Sequence, residues 1–176
     1  WGFAEGGYAA RSIDGGAAAA GTTKAIVYRH FAGKEELYRS ILDDVVAVLA
    51  VAFDDANAAR EDGPAAPAPS LVALLDAARA QPDAFRLLTV HAPREVEFRT
   101  YAELTRRGME EATGALLEPL GADPELRAWL VALLVDAGVA AVLQWLDHGT
   151  PDRDDEFLRR STGALRAMVQ AATSGT

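Results

Sequence analysis

The chain has 176 residues, 50% of them hydrophobic, with 26 acidic side chains against 17 basic ones, a net charge of −9 and no cysteine. That apolar content is enough for a real core and one or two domains. The missing cysteine excludes disulfides and thiolate metal sites and suits a reducing cytosol.

An acidic balance argues at first against a nucleic-acid partner, but the charge is unevenly spread. Residues 1–40 hold Arg11, Lys24, Arg29, Lys34 and Arg39 against Glu5, Asp14, Glu35 and Glu36, so the acidity belongs to the remainder. Phosphate contact is a local matter, and this first stretch stays eligible for it. No signal peptide is visible, and the chain begins at Trp1 without a Met, so a preceding segment is expected.

Residues 1–6 read as the tail of a helix, with Trp1 and Phe3 packing against the next short helices, and Gly7-Tyr8 makes a turn. Ser12 can cap a short helix over Ile13 to Ala20, which Gly21 ends. Gly15-Gly16 lie inside it, and each interior glycine costs roughly 1 kcal/mol against Ala. Thr22 or Thr23 can cap the next helix, in which Val27 and Phe31 share one face. Lys24, Ile26, Tyr28, Arg29 and His30 project elsewhere, a small surface rich in donors and rings. Two short helices about a tight glycine turn, the second carrying the polar face, outline a helix-turn-helix DNA reader.

A long amphipathic helix is expected from Lys34 to about Arg60, with Leu37, Ile41, Val45, Val48 and Phe53 near helical spacing. Its acidic first turn, Glu35-Glu36, suits the helix dipole. Residues 61–69 are too rich in proline for a helix and form a loop. Everything beyond is helical in pattern. Ser70 caps a helix to about Ala80, and Pro82 starts another that ends near His91-Ala92-Pro93. A longer one runs from about Arg94 to Leu117, with Phe98, Tyr101, Ala102, Thr105, Met109, Ala112 and Leu116 on one stripe. The helix Pro124 to His148 is apolar nearly all round and must be buried on more than one side. Asp136 and Gln144 interrupt it, so it is not expected to span a membrane. A last helix covers Asp152 to Ala172, with Phe157, Leu158, Ser161, Leu165, Met168, Val169 and Ala172 at 3–4 spacing. No internal repeat or heptad run is evident.

Residues 2 to 42 resemble the DNA-binding module of the TetR family of transcriptional regulators. The residues that carry the resemblance are Phe3, Gly7-Tyr8, Ser12, Ala17 to Ala20, Gly21, Thr23-Lys24, Val27-Tyr28, Phe31 and Lys34-Glu35-Glu36-Leu37. Beyond residue 42 the likeness is one of helical layout only. Gly15-Gly16 departs from the pattern, which commonly has an acidic residue and a buried Ile there, and Ile26 replaces the commoner Thr or Ser. The resemblance implies an all-α fold. A helix-turn-helix DNA-binding domain would occupy residues 1–42, and a helical ligand-binding and dimerisation domain residues 43–176.

It further implies that Thr22 to His30 is the recognition helix. Thr23, Lys24 and Ile26 would face base edges, Lys24 donating to guanine and Ile26 touching a thymine methyl. Tyr28, His30 and Lys34 would hold phosphates with Ser12 or Arg11 assisting, and Arg29 shares their surface. The bland alternative is a short helix of ordinary solvated residues. One such module reads few base pairs, so a two-fold homodimer on double-stranded DNA is implied. Trp145, Leu146, Phe157, Leu158, Leu165 and Met168 are the candidates for its interface, unless they bury against their own chain. A small-molecule effector is implied as well. Phe85, Leu88, His91, Phe98, Tyr101, Thr105, Met109, Trp129, Leu133 and Asp136 could line its pocket, or could equally be core.

Catalytic readings find little support. Pro93 breaks the helical geometry that His91 and Glu95 would need as a metal pair, and there is no glycine-rich phosphate loop or nucleophile elbow. The chain is therefore read as no enzyme, with no cofactor and no metal. A cytoplasmic, homodimeric TetR-like regulator, most often a repressor in that family, is the first reading. A helical small-molecule-binding dimer whose DNA reader has decayed is the alternative, motivated by Gly15-Gly16.

Overall fold

The computed structural model of the chain describes residues 33–58 and 66–174. These residues hold six α-helices and no strand: α1 (Lys34–Ala58), α2 (Pro69–Ala80), α3 (Pro82–Arg86), α4 (Arg99–Leu117), α5 (Pro124–His148) and α6 (Asp154–Thr173). The all-α expectation holds for them.

α1 opens on Glu35 and Glu36, whose carboxylates sit at the positive end of the helix. Its buried side chains are Leu37, Tyr38, Leu42, Val45 and Leu49, a wider set than the sequence stripe because α2, α3 and α4 all pack on it. The expected boundary between residues 42 and 43 falls inside this unbroken helix. α2 is the centre of the bundle. Leu71, Ala73, Leu74, Leu75, Ala77 and Ala78 are buried round most of its circumference, against α1, α5 and α6. Phe85 and Phe98, each fully buried, anchor the main core near α1, at about 1.5–3 kcal/mol of burial apiece.

Several boundaries differ from those expected. α2 is not capped by Ser70: Pro69 takes the first helical position and Ala68 stands at the cap. Proline suits that place because it has no N–H to satisfy and its φ is preset. Ala68 cannot cap with its side chain, and its own N–H donates across the bundle to the Thr162 Oγ1 of α6 at 2.9 Å. After α3 the chain widens into a π turn over Leu87–His91, where the Ala92 N–H reaches back five residues to the Leu87 carbonyl. A 3-10 turn, Ala92–Arg94, comes next. Glu95 is then extended, so α4 starts at Arg99 rather than Arg94. The hydrophobic period runs on through this turn, which hides the break in the sequence.

α5 spans Pro124–His148, as expected. The Asp123 carboxylate caps it by accepting from the N–H groups of Glu125 and Leu126 at 2.9 and 3.3 Å. Gly121, at φ 63, makes the left-handed turn before it. α5 is less enclosed than its composition demands. Leu130, Val131, Val135, Gly138 and Val142 are buried, but Trp129 is 56% exposed. By length and hydropathy alone α5 could cross a membrane, and only 28% of its most apolar window is buried. Here it packs on α2, α4 and α6. α6 starts at Asp154 instead of Asp152, after a 3-10 turn, Pro151–Arg153. Asp154 fixes that corner by accepting from Arg79 of α2 at 3.0 and 2.8 Å and from the Trp145 indole of α5 at 2.6 Å.

Candidate functional site

Ser12, Thr23, Lys24, Ile26, Tyr28, Arg29 and His30, the sequence candidates for reading DNA, lie outside the described residues, as do Gly15 and Gly16. Lys34 is within them, half-buried as the first residue of α1.

The start of α1 is gripped by the turn between the π turn and α4. Tyr38 is fully buried and its hydroxyl donates to Glu95 Oε2 at 2.6 Å. Its ring lies 4.3 Å from that of Phe98. Burial first, then the hydrogen bond and charge of Glu95, holds the Tyr38 phenol far above its ordinary range, so it is neutral at every physiological pH. The next residue, Arg39, bonds Glu35 at 3.2 and 2.8 Å and lies 5.5 Å from the centre of the Phe98 ring. Tyr101 of α4 is hydrogen-bonded between Asp43 and Arg39; burial, then the Asp43 bond, raises its phenol as well. Periodicity alone did not single out Tyr38 or Glu95. A large aromatic carrying a polar tip, one residue off the apolar stripe, is the only sequence cue to such a contact.

Of the cavities among the described helices, a more open one of about 540 Å³ lies on another stretch of the α4–α5 seam, and the pair that bears on the ligand-pocket candidates shares Met109 of α4 and Val135 of α5. The smaller, of about 270 Å³, lies beside the π turn and is lined by Leu88, Thr89 and Pro93, by Thr105, Arg106 and Met109 of α4, and by Val135 and Asp136 of α5. Thr89 and Thr105 each donate back to the carbonyl four residues earlier, at 2.7 and 2.8 Å, so both hydroxyl protons are engaged. Asp136, the carboxylate on the apolar helix, accepts both guanidinium arms of Arg106, the Nη2 contact being 3.2 Å, and Glu110 accepts from Arg106 Nε at 2.7 Å. The Asp136 side chain is 63% exposed, so this pair shapes a rim and adds little stability.

The larger cavity, of about 440 Å³, lies between Phe53 of α1, the start of α2, the C-terminal halves of α4 and α6, and the middle of α5. Met109 is common to both cavities, while Leu116 and Leu120, both exposed, stand at this one's rim.

Of the ten ligand-pocket candidates, Leu88, Thr105, Met109 and Asp136 are thus brought together at the smaller cavity. Phe85 and Phe98 are wholly enclosed in the core, Tyr101 packs at its edge, and His91 and Leu133 are half-buried. Trp129 points outward. Sequence reasoning did not pick out Ser70, Thr162, Arg166 and Gln170 on the larger cavity. The last three recur every four residues on α6, a polar line beside its apolar stripe, and that spacing was the available signal.

The interface candidates are divided. Leu158 is buried within its own chain and Leu165 lines the larger cavity. Trp145 and Phe157 stack at 4.9 Å, 10° from parallel, and edge an outer groove with Ala141, Gln144 and His148. Leu146 and Met168 are half-buried.

Compared with known proteins, residues 3–41 match the family model described as bacterial regulatory proteins, tetR family. Among curated proteins nothing matches the chain.

Proposed function

We infer that this chain, a DNA-binding transcriptional regulator with the TetR-family module at residues 3–41, works as a homodimeric repressor that a small molecule releases from a palindromic operator. The observation that carries the reading is the junction of that module with α1. The helix begins at Lys34, inside the matched segment, and runs unbroken to Ala58, beside the larger cavity. Tyr38 ties its first turns to Glu95 and Phe98, in the turn that adjoins the smaller cavity. A ligand that prefers one setting of these contacts shifts the population of DNA-competent dimers by its differential affinity for the two settings.

The proposed organisation keeps residues 1–42 for DNA, with Ser12, Thr23, Lys24, Ile26, Tyr28, Arg29, His30 and Lys34 meeting it. Residues 43–176 take the effector and the second subunit. Pairing is supported by the uncovered apolar surface of α5 and the Trp145–Phe157 edge, since an apolar helix this bare calls for a covering surface. The site is proposed to work in the cytoplasm, without catalysis.

Selection from random duplexes, then titration at several salt concentrations, tests this. A palindromic preference and steep salt dependence are expected. Lys24→Ala should relax preference at one base position by about 1–3 kcal/mol. Tyr28→Ala should weaken binding across all sequences. If no sequence is preferred and salt has no effect, the second reading takes over: a helical ligand-binding dimer whose reader has been weakened by Gly15-Gly16.

A further inference from the structure

The smaller and larger cavities follow one another along α4. The smaller takes Ala102, Thr105 and Arg106, the larger takes Thr113, Leu116 and Leu117, and Met109 lies on both linings. On α5 the smaller takes Asp136 and Val139, the larger takes Leu134 and Gly138, and Val135 lies on both. Both shared residues are buried, so one side chain from each helix divides the two spaces. They differ in stiffness. Val135 is β-branched and held at χ1 by its helix. Met109 is unbranched and adaptable, so it moves aside at little cost. Resting on the reading that the helical body takes a small molecule, we propose that Met109 is a movable partition, which a long unbranched hydrocarbon chain with an uncharged polar end displaces to occupy both cavities at once.

The larger cavity, of about 440 Å³, is walled chiefly by leucine and valine, which suits a flexible hydrocarbon. Phe53 is the one aromatic residue on it among the described residues, so a planar polycyclic ligand finds little to stack on. Its polar groups include Ser70 of α2, Thr113 of α4 and Gln170 of α6, spread over three helices, and they mark no single place for a head. The smaller cavity, of about 270 Å³, does mark one. The Thr89 and Thr105 hydroxyls both donate to backbone carbonyls, at 2.7 and 2.8 Å, so each has lone pairs left with which to accept. Among the described residues of this lining, Arg99 and Arg106 are matched in charge by Glu103 and Asp136. Neither an anionic nor a cationic end gains a net field there. A hydroxyl, which donates and carries no charge, fits both conditions. From Thr105 to Leu117 α4 rises about 18 Å, the reach a chain needs to touch both linings. Octanol falls well short of that reach, and dodecanol comes close to it.

Calorimetric and thermal-shift titrations of the full chain with octanol, dodecanol, dodecanoate and dodecyltrimethylammonium, below micellar concentrations, test this. Dodecanol should bind more tightly than either charged form and raise the melting temperature. Met109→Ala removes the partition and should tighten dodecanol by about tenfold, the order of displacing one side chain from its rotamer well, with octanol little changed. Met109→Ile sets a stiff, branched side chain in the same place and should weaken dodecanol by about tenfold, again with octanol little changed. Octanol binding thus also reports that each variant is folded. Equal responses of the two alcohols to these substitutions, or no response in either, overturn the partition. A charged form that binds as tightly as dodecanol overturns the uncharged end. Binding of none overturns the site. Dodecanol binding in this pattern that leaves operator affinity unchanged upholds this inference and instead refutes effector-driven release.

Discussion

Removing one oxygen from the chain tests the joint at the head of α1. Tyr38→Phe keeps the fully buried ring against Phe98, 4.3 Å away, and deletes only the hydroxyl that donates to Glu95 at 2.6 Å. The ring volume is unchanged, so no cavity term enters, and the loss is that of one hydrogen bond to a charged acceptor. Such bonds contribute about 1.5–3 kcal/mol, and the relief of no longer burying a hydroxyl trims the net cost to about 1–2 kcal/mol. For a chain of 176 residues this lowers the melting temperature by about 2–8 °C. Urea titration should show a lower midpoint at an unchanged slope. The pH dependence gives a second reading. The folded phenol titrates above its ordinary value of 10.0, so its contribution is present below that pH and is lost as pH rises beyond it. The gap between the two proteins should close in strongly alkaline solution. A double-mutant cycle with Glu95→Gln should return about 1–2 kcal/mol of coupling. Additive single mutants, or a melting temperature that does not move, would refute the assignment of this contact as the tie between α1 and the turn before α4.

Three further outcomes are expected. Asp154→Asn should cost about 2 kcal/mol at neutral pH, since the carboxylate accepts twice from Arg79 and once from Trp145. The Arg79 bond above all depresses the Asp154 pKa, so wild type holds this advantage above the ordinary carboxylate range and loses it as pH falls below; denaturant midpoints at several acid pH values check it. Gly149→Ala should destabilise by about 1–3 kcal/mol and alter the near-ultraviolet dichroism, because its Cβ would fall 2.2 Å from the Trp145 ring and force that indole away. Gly108→Ala, exposed in mid-helix with nothing within 4 Å of the new atom, should raise stability by about 0.8–1 kcal/mol in urea titrations.

The helices were legible because their punctuation is chemical: Pro82 and Pro124 each occupy the first turn of the helix they were expected to start. Where a proline sat one place from a better-known capping residue, as at Pro69-Ser70, the sequence favoured the hydroxyl and the chain used the ring. Tertiary need explains the remaining misses. Glu95 leaves the helical path, and its carboxylate meets a tyrosine 57 positions away, a pairing no local period encodes. The candidate pocket was read from aromatic and apolar residues of the middle helices, yet Phe85 and Phe98 proved too well packed to line anything. The larger cavity depends instead on α6, whose Thr162 and Arg166 reach back 94 and 100 positions to hold the start of α2. Such distances leave only a faint four-residue rhythm in the chain.

The unbroken course of α1 makes it a stiff rod, packed along its length as far as Leu49 and tied by a side-chain hydrogen bond at Tyr38. From Tyr38 to Phe53 the long arm measures about 22 Å, while only about 6 Å separates Tyr38 from Lys34. With the tyrosine as fulcrum, pushing Phe53 sideways by about 1 Å tilts the rod by about 3° and moves Lys34 by only about 0.3 Å. What reaches the preceding residues is a change of angle with scarcely any translation, and its reach grows with the span of whatever is mounted there.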